Sequence, residues 1–318
     1  MQYTAVIRTL GTAGEKFQAL LNSLVAQTIQ PKAILVYIAE GYTLPKETIG
    51  IERYIYVKKG MVAQRALLYN EVDTEYMLFL DDDVYLAPNS VETLYTQLIL
   101  HRGDVISPDV FYNATRSLKS ELMMTISGRM RARRRDKTWG YKVMRNAGYS
   151  YNKHPQDVML SQTNAGPCFF CKKDDFLKIH FEEELWLDKQ RYPLGEDQVM
   201  FYKMYRKGLR VLTSYNNGII HLDAGSTMMS EDKTRALIFS DFRFKAIFWH
   251  RFIWQCEKSL LLKLWSIVCI IYTFGFAFGI SLLKGEWNIF RLKRDAIKDG
   301  IAFLRSESYK KLPRICVL

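Results

Sequence analysis

The first hundred residues switch hydrophobic period repeatedly. "YTAVIRTL" (3–10) is a β-branched apolar run and predicts a strand. "GEKFQALLNSLVAQT" (14–28) then sets Phe17, Leu20, Leu21, Leu24 and Val25 at helical spacing. "PKAILVYIAEG" (31–41) and "ERYIYVKKG" (52–60) predict two more strands, "MVAQRALLYNEV" (61–72) a helix, "EYMLFLDDD" (75–83) a fourth strand and "SVETLYTQLILH" (90–101) a helix after it. Strands alternating with helices argue for an α/β fold with a parallel, doubly wound sheet. Such sheets bind ligands beyond the carboxyl ends of their strands.

One of those ends carries Asp81, Asp82 and Asp83 in a row. Adjacent carboxylates repel, and burying them unpaired is costly. A hard cation such as Mg²⁺ or Mn²⁺, shared with substrate phosphates, would relieve the repulsion and neutralise a diphosphate leaving group. A second acidic pair, Glu196 and Asp197 in "PLGEDQVMF", follows a glycine at the start of a helical pattern. There the helix dipole favours negative charge. The pair reads either as a helix cap or as a general base beside an acceptor hydroxyl. His221 in "GIIHLDAG" ends a strand pattern and reads either as a packed histidine or as a metal ligand.

The chain has 318 residues and a formal net charge of +12. That charge suits anionic partners such as nucleotides or phospholipid headgroups. No nucleic-acid motif is evident, so no nucleic-acid partner is expected. From about 113 to 160 the alternation breaks, and "RMRARRRDK" (129–137) forms a dense basic run. This stretch reads as an excursion from the sheet, its basic run either a solvated helix face or a contact for a phosphate-rich substrate or an anionic membrane. "LWSIVCIIYTFGFAFGISLL" (264–283) is free of charge and long enough to span a bilayer core. Lys258 and Lys263 precede it and Lys284, Arg291, Lys293 and Arg294 follow, so charge gives no orientation. A segment that dips into the bilayer with both ends on the cytoplasmic side, one that lies along the interface, and a buried helix are the other readings. The division implied is 1–235 for a catalytic domain and 236–318 for a C-terminal helical region.

The five cysteines, at 168, 171, 256, 269 and 316, are odd in number, and no secretory pattern opens the sequence. Reduced thiols and a catalytic part on the cytoplasmic face of a membrane are the expectation. Cys168 and Cys171 form a CxxC inside a strand pattern, with no second ligand pair to make a zinc site.

Taken in order, "TAVIRTLGTAGEKFQALLNSLVAQTIQPKAILVYIAEG", "GMVAQRALLYNEVDTEYMLFLDDD" with its D-x-D, "NAGPCFFCKKDDFLKI", "GEDQVMFYKMYRKGLRV" with its E-D pair, and His221 resemble the inverting family 2 glycosyltransferases of GT-A fold. The resemblance covers about residues 3 to 225. It implies a Rossmann-like GT-A sheet, a nucleotide-sugar donor, a divalent cation (Mg²⁺ or Mn²⁺), and transfer with inversion to a glycan or lipid-linked acceptor. By that resemblance Asp197 is the base and Glu196 its orienting partner. Asp83, Asp81 and His221 are metal ligands. Thr9, Glu40, Lys59, Arg65, Asp81 and Asp82 bind the donor. The sequence departs from the family at "RTLG", where many members read P-T-Y-N, and at "AEG", where many have two aspartates, so the base of the donor stays open. A sugar nucleotidyltransferase and a non-catalytic membrane-associated protein are the alternatives. A haloacid-dehalogenase-type phosphatase fits poorly, because its D-x-D sits near the N-terminus.

Overall fold

The structure is a computed structural model, and it describes residues 1–110, 116–222 and 229–315. Its centre is an eleven-stranded mixed sheet. The first strands are β1 (Tyr3–Thr9), β2 (Ala33–Ala39), β3 (Arg53–Val57) and β4 (Tyr76–Asp81), laid side by side in the order β3-β2-β1-β4, all parallel. Helices α1 (Glu15–Val25) and α2 (Ser90–Leu100) pack on one face. These strands read as unbroken apolar runs because both faces are covered. Val6, Met77 and Phe79 enter one core, while Ala5, Ile7, Leu78 and Leu80 enter the other.

Beyond β4 the sheet becomes mixed. The next strands in the chain are β5 (Val84–Leu86), which stands outside the main sheet, and β6 (Val105–Pro108). Helix α3 (Leu118–Ile126) follows, then β7 (Met130–Arg133), β8 (Trp139–Val143), β9 (Tyr149–Asn152), β10 (Val158–Ser161) and β11 (Cys168–Lys172). β11 inserts antiparallel between β4 and β6. The region expected to leave the sheet instead extends it: β7 to β10 form its far end, and the basic run lies partly on edge strand β7. Arg133 explains this. Its guanidinium donates to the carbonyls of Trp139 and Gly140 and to Ser150, tying three strands together.

Residues 61–72, expected as a helix, form turns. Bonds from Gln64 N–H to the Gly60 carbonyl and from Ala66 N–H to the Val62 carbonyl make one helical turn, and the Asp188 carboxylate caps it by accepting from the N–H groups of Val62 and Ala63. Tyr69, at φ 53°, then turns the chain away.

After β11 come α4 (Lys173–Leu177), a 3₁₀ stretch (Phe181–Lys189), α5 (Glu196–Arg206), β12 (Val211–Ser214) and β13 (Ile219–His221). β13 pairs with β5 in a separate two-stranded sheet, setting His221 opposite Val84. Cys168 and Cys171 lie on opposite faces of β11, one in each core, and burial pushes both thiols up. They share no site. Cys168, Cys171, Cys256 and Cys269 are free thiols; Cys316 lies outside the described residues.

The C-terminal helices are α6 (Glu231–Phe248), a π-helical turn (Trp249–Trp254), α7 (Leu260–Leu283), α8 (Trp287–Arg305) and α9 (Glu307–Lys310). Residues beyond 235 share the main core: Phe244, Ile247, Phe248, Phe252, Tyr309 and Ile315 join the cluster that holds Phe79 and Phe169.

Candidate active site

The carboxyl ends of β1 and β4 meet the N-terminus of α5 around a cavity of about 780 Å³. Parallel register sets Arg8 beside Asp81, and Arg8 Nε donates to Asp81 Oδ1 at 2.5 Å. From the other side Arg65 donates to Asp81 Oδ1 at 3.1 Å. Both guanidiniums also reach Glu196, Arg65 at 2.6 Å and Arg8 at 3.0 Å, and Arg65 Nη1 stands 3.4 Å from Asp197. Arg65 is sealed in; its Nη2 also donates to the Gly166 carbonyl and its plane sits over Phe169.

Three carboxylates thus face two guanidiniums, and one negative charge is in excess. Against its burial, Arg8 and Arg65 hold the Asp81 carboxyl below the usual range. Burial pushes Glu196 up to about 7, against Arg65 and Arg8, with Asp197 and Asp81 adding to the rise. Glu196 is therefore the member of the cluster whose carboxyl burial raises most. Gly195, at φ 82°, is the N-cap of α5 and has no side chain to cap it. The two acids bond to arginines, which excludes capping as their main task. A Cβ at Gly166 would displace the Asp197 carboxylate from this position. Asp197 is the more open acid, its side chain 38% exposed to the cavity.

Across the cavity, Asp83 Oδ1 lies 3.1 Å from His221 Nε2, and the Leu222 N–H donates to the Asp83 carbonyl. The pairing of β5 with β13 creates this contact. The donor set, one carboxylate oxygen and one imidazole nitrogen, suits a divalent cation that completes its shell with phosphate oxygens. Among the described residues no group of three or more His, Cys, Asp or Glu side chains is placed to hold an ion by itself. Asp81, expected as a metal ligand, has both oxygens accepting from Arg8, with Arg65 on one of them.

Of the expected donor residues, Thr9, Lys59, Asp81 and Asp82 line the cavity. The Thr9 hydroxyl donates to Asp82 Oδ2 at 2.5 Å. Burial raises the Asp82 carboxyl to about 6; Thr9 opposes this and the neighbouring aspartates add to it. Lys59 stands at the exposed mouth, its Nζ 2.6 Å from the Tyr42 hydroxyl. Two of the expected donor residues stand outside the cavity lining. Arg65 does not reach the cavity, because its guanidinium is taken up by Asp81, Glu196 and Asp197 in the interior. Glu40 does not line the cavity either; it is exposed in the turn after β2. Arg8, Gln64 and Asp188 do line it, without having been singled out in the sequence. Arg8 alone left a signal, as the charged residue of an otherwise uncharged strand.

A second cavity, about 260 Å³, shares Leu194 and Gly195 with the first. Arg116, Arg129 and Lys245 line it, with Asp241 bonded to Lys245 at 2.5 Å. Gln198, next to Asp197 in α5, forms part of its wall.

The fold is α/β, with helices packed against a large mixed sheet. No family model matches the sequence, and no curated protein matches it. Among solved structures, GalNAc-T7 with UDP, GalNAc and Mn²⁺ is similar at a TM-score of 0.47 and 11% identity, over 82% of this chain and 52% of that one. TarS of S. aureus is similar at 0.44 and 14%, over 78% of this chain and 39% of that one. The chain thus spans about half of one and two-fifths of the other. The chemistry of the site carries the functional reading below.

Proposed function

We propose that this chain is an inverting glycosyltransferase that uses a nucleotide-sugar donor and a divalent cation. The observation that carries the reading is the placement of Asp197 in the same cavity as the Asp83–His221 pair, on a separate element. An in-line displacement needs a base and a leaving-group site on opposite sides of the reacting carbon. Asp197 takes the proton of the acceptor hydroxyl, and the oxygen attacks the anomeric carbon as the bond to the diphosphate oxygen breaks. The electron pair leaves on the diphosphate, where Lys59 at the mouth offers a cation. A divalent cation held by Asp83 and His221 would supply charge neutralisation there. Glu196, locked by Arg8 and Arg65, positions the start of α5 and so the base.

The second cavity is the acceptor side in this reading. Its walls adjoin Asp197 through Gly195 and Gln198, and its cations favour a glycan or lipid-linked acceptor bearing phosphate or carboxylate. The test incubates purified protein with Mn²⁺ and UDP-, GDP- or dTDP-sugars, and separately with sugar 1-phosphates and nucleoside triphosphates. Release of a nucleoside diphosphate from one sugar nucleotide, lost in Asp197→Asn, is expected. Release of pyrophosphate from the second mixture instead would make the chain a sugar nucleotidyltransferase.

A further inference from the structure

Two neighbouring helices are built inside out. In α3 the buried side chain is Glu121, bonded to Lys153 and Arg134, while Leu118, Leu122, Met123 and Ile126 face solvent. In α7 the buried positions include Ser266, Thr273 and Ser281, while Leu261, Trp265, Val268, Ile271 and Tyr272 form one exposed stripe. The helices adjoin: the Tyr272 hydroxyl donates to the Ile126 carbonyl at 2.8 Å. A helix seated on a soluble protein turns its apolar face inward. Here that face points away from the core on both helices, and the apolar surface runs from one to the other.

The length of α7 invites a spanning reading, but its contacts forbid one. Trp249 donates to the Ser266 carbonyl, Asn146 to the Thr273 hydroxyl, and Lys293 to the Ala277 carbonyl and the Ser281 hydroxyl. Contacts from 266 to 281 fasten about 22 Å of helix to the protein. Upright insertion through a hydrocarbon core of about 30 Å would break these bonds or carry Lys293 and Asn146 into lipid.

We propose that α7 and α3 together form an in-plane seat on an anionic membrane surface, with α7 lying along the interface and not crossing it. Charge selects the partner. Exposed Lys258 and Lys284 flank the two ends of α7, and exposed Arg129, Arg131 and Arg135 follow α3. Basic residues ringing an apolar stripe match acidic headgroups over acyl chains. Met124 and Arg129 also line the second cavity, so the seat brings that cavity to the lipid surface. The inference concerns membrane attachment and stands apart from the transfer reaction.

Flotation of the full chain with vesicles tests it, using phosphatidylcholine alone and phosphatidylcholine mixed with phosphatidylglycerol. The chain is expected to float with the mixed vesicles, less so at high salt. The triple variant Leu122→Asp, Leu261→Asp, Ile271→Asp is expected to lose flotation with unchanged circular dichroism and thermal unfolding. A fluorophore on cysteine at Leu261, Val268 or Leu283, in a Cys269→Ser, Cys316→Ser background, is expected to report the same shallow depth at all three. Failure to float would overturn the proposal. So would a depth profile running from one leaflet to the other, or a lipid-free dimer that shields these residues from labelling.

Discussion

Arg65 Nη1 lies 2.6 Å from Glu196 Oε1 in the interior, and the same guanidinium reaches Asp81 and Asp197. The arginine is thus a lock that joins the end of β4 to the start of α5. Removing one partner of a buried ion pair leaves the other charge uncompensated, at a cost of ~3–5 kcal/mol. Arg65→Met is expected to lower the denaturation midpoint by that measure, whereas Lys59→Ala at the exposed mouth leaves it unchanged and weakens nucleoside diphosphate binding about tenfold. Urea titration and calorimetry read the two effects. An Arg65→Met protein as stable as the parent would remove the lock.

The excess negative charge of this cluster has a pH signature. The Glu196 carboxyl rises from 4.5 to about 7 on folding. Between those values the folded chain keeps a proton that the unfolded chain has released, so stability falls as pH rises through that window, by at most ~3 kcal/mol. Asp81 works the other way: its carboxyl is held low, and its contribution fades only as pH drops below the usual carboxylate range. Urea midpoints at pH 5 and pH 8 should therefore differ more in the parent than in Glu196→Gln. Equal slopes in the two proteins would mean that Glu196 is ionised throughout.

Asp197 differs from Glu196 in being open to the cavity and touched by Arg65 only at 3.4 Å. Asp197→Asn is expected to keep donor affinity and lower kcat by ~10²–10⁴-fold, as loss of a general base does. Glu196→Gln should lose less, since its task is to hold α5. Transfer rates near those of the parent in Asp197→Asn would place the base elsewhere.

The Asp83–His221 contact makes a prediction about the metal. Asp83→Ala and His221→Ala should each lose the dependence of nucleoside diphosphate binding on Mn²⁺, with overall stability retained because both side chains lie at the cavity edge. Titrations with and without Mn²⁺ decide it. Mn²⁺-dependent binding that survives in Asp83→Ala would assign the cation to other groups.

Much of this site was readable from sequence because strand ends announce themselves. β1, β2 and β4 are apolar on both faces, so their runs stop sharply, and Thr9, Asp81 and Asp83 mark the stops. Glu196 and Asp197 follow a glycine that opens a helix, which is equally local. The ionic lock was not readable. Arg8 and Asp81 are 73 residues apart in the chain, Arg65 and Glu196 131, and no periodicity records such pairs. The reading of 61–72 failed for a local reason: one turn forms and is capped by the Asp188 carboxylate, but Tyr69 takes a positive φ and the chain turns away. The strands β7 to β9 were hidden for a related reason: short strands rich in arginine and tyrosine lack the continuous apolar signal of the parallel half.

The C-terminal helices are held by a second buried ionic group, and it decides what truncation does. Glu184 in the 3₁₀ stretch accepts from Lys203 of α5 at 3.0 Å and from Arg251 of the π-helical turn at 2.7 Å. Against burial, those two cations hold its carboxyl below the usual range. Arg251 also donates to the Pro313 carbonyl, and Tyr309 and Ile315 complete the core beside it. A chain ending at residue 255 would therefore lose more than the proposed membrane seat. It would open the core under α5 and leave Arg251 without the Pro313 carbonyl, so the expected outcome is an aggregation-prone protein with a lowered melting temperature and no donor binding. Glu184→Gln in the full chain should destabilise by ~3–5 kcal/mol through the same joint, since two buried cations lose their counter-charge. Size-exclusion chromatography and thermal unfolding of the two proteins measure this. A soluble, donor-binding 1–255 fragment would show that the catalytic core closes without the C-terminal helices.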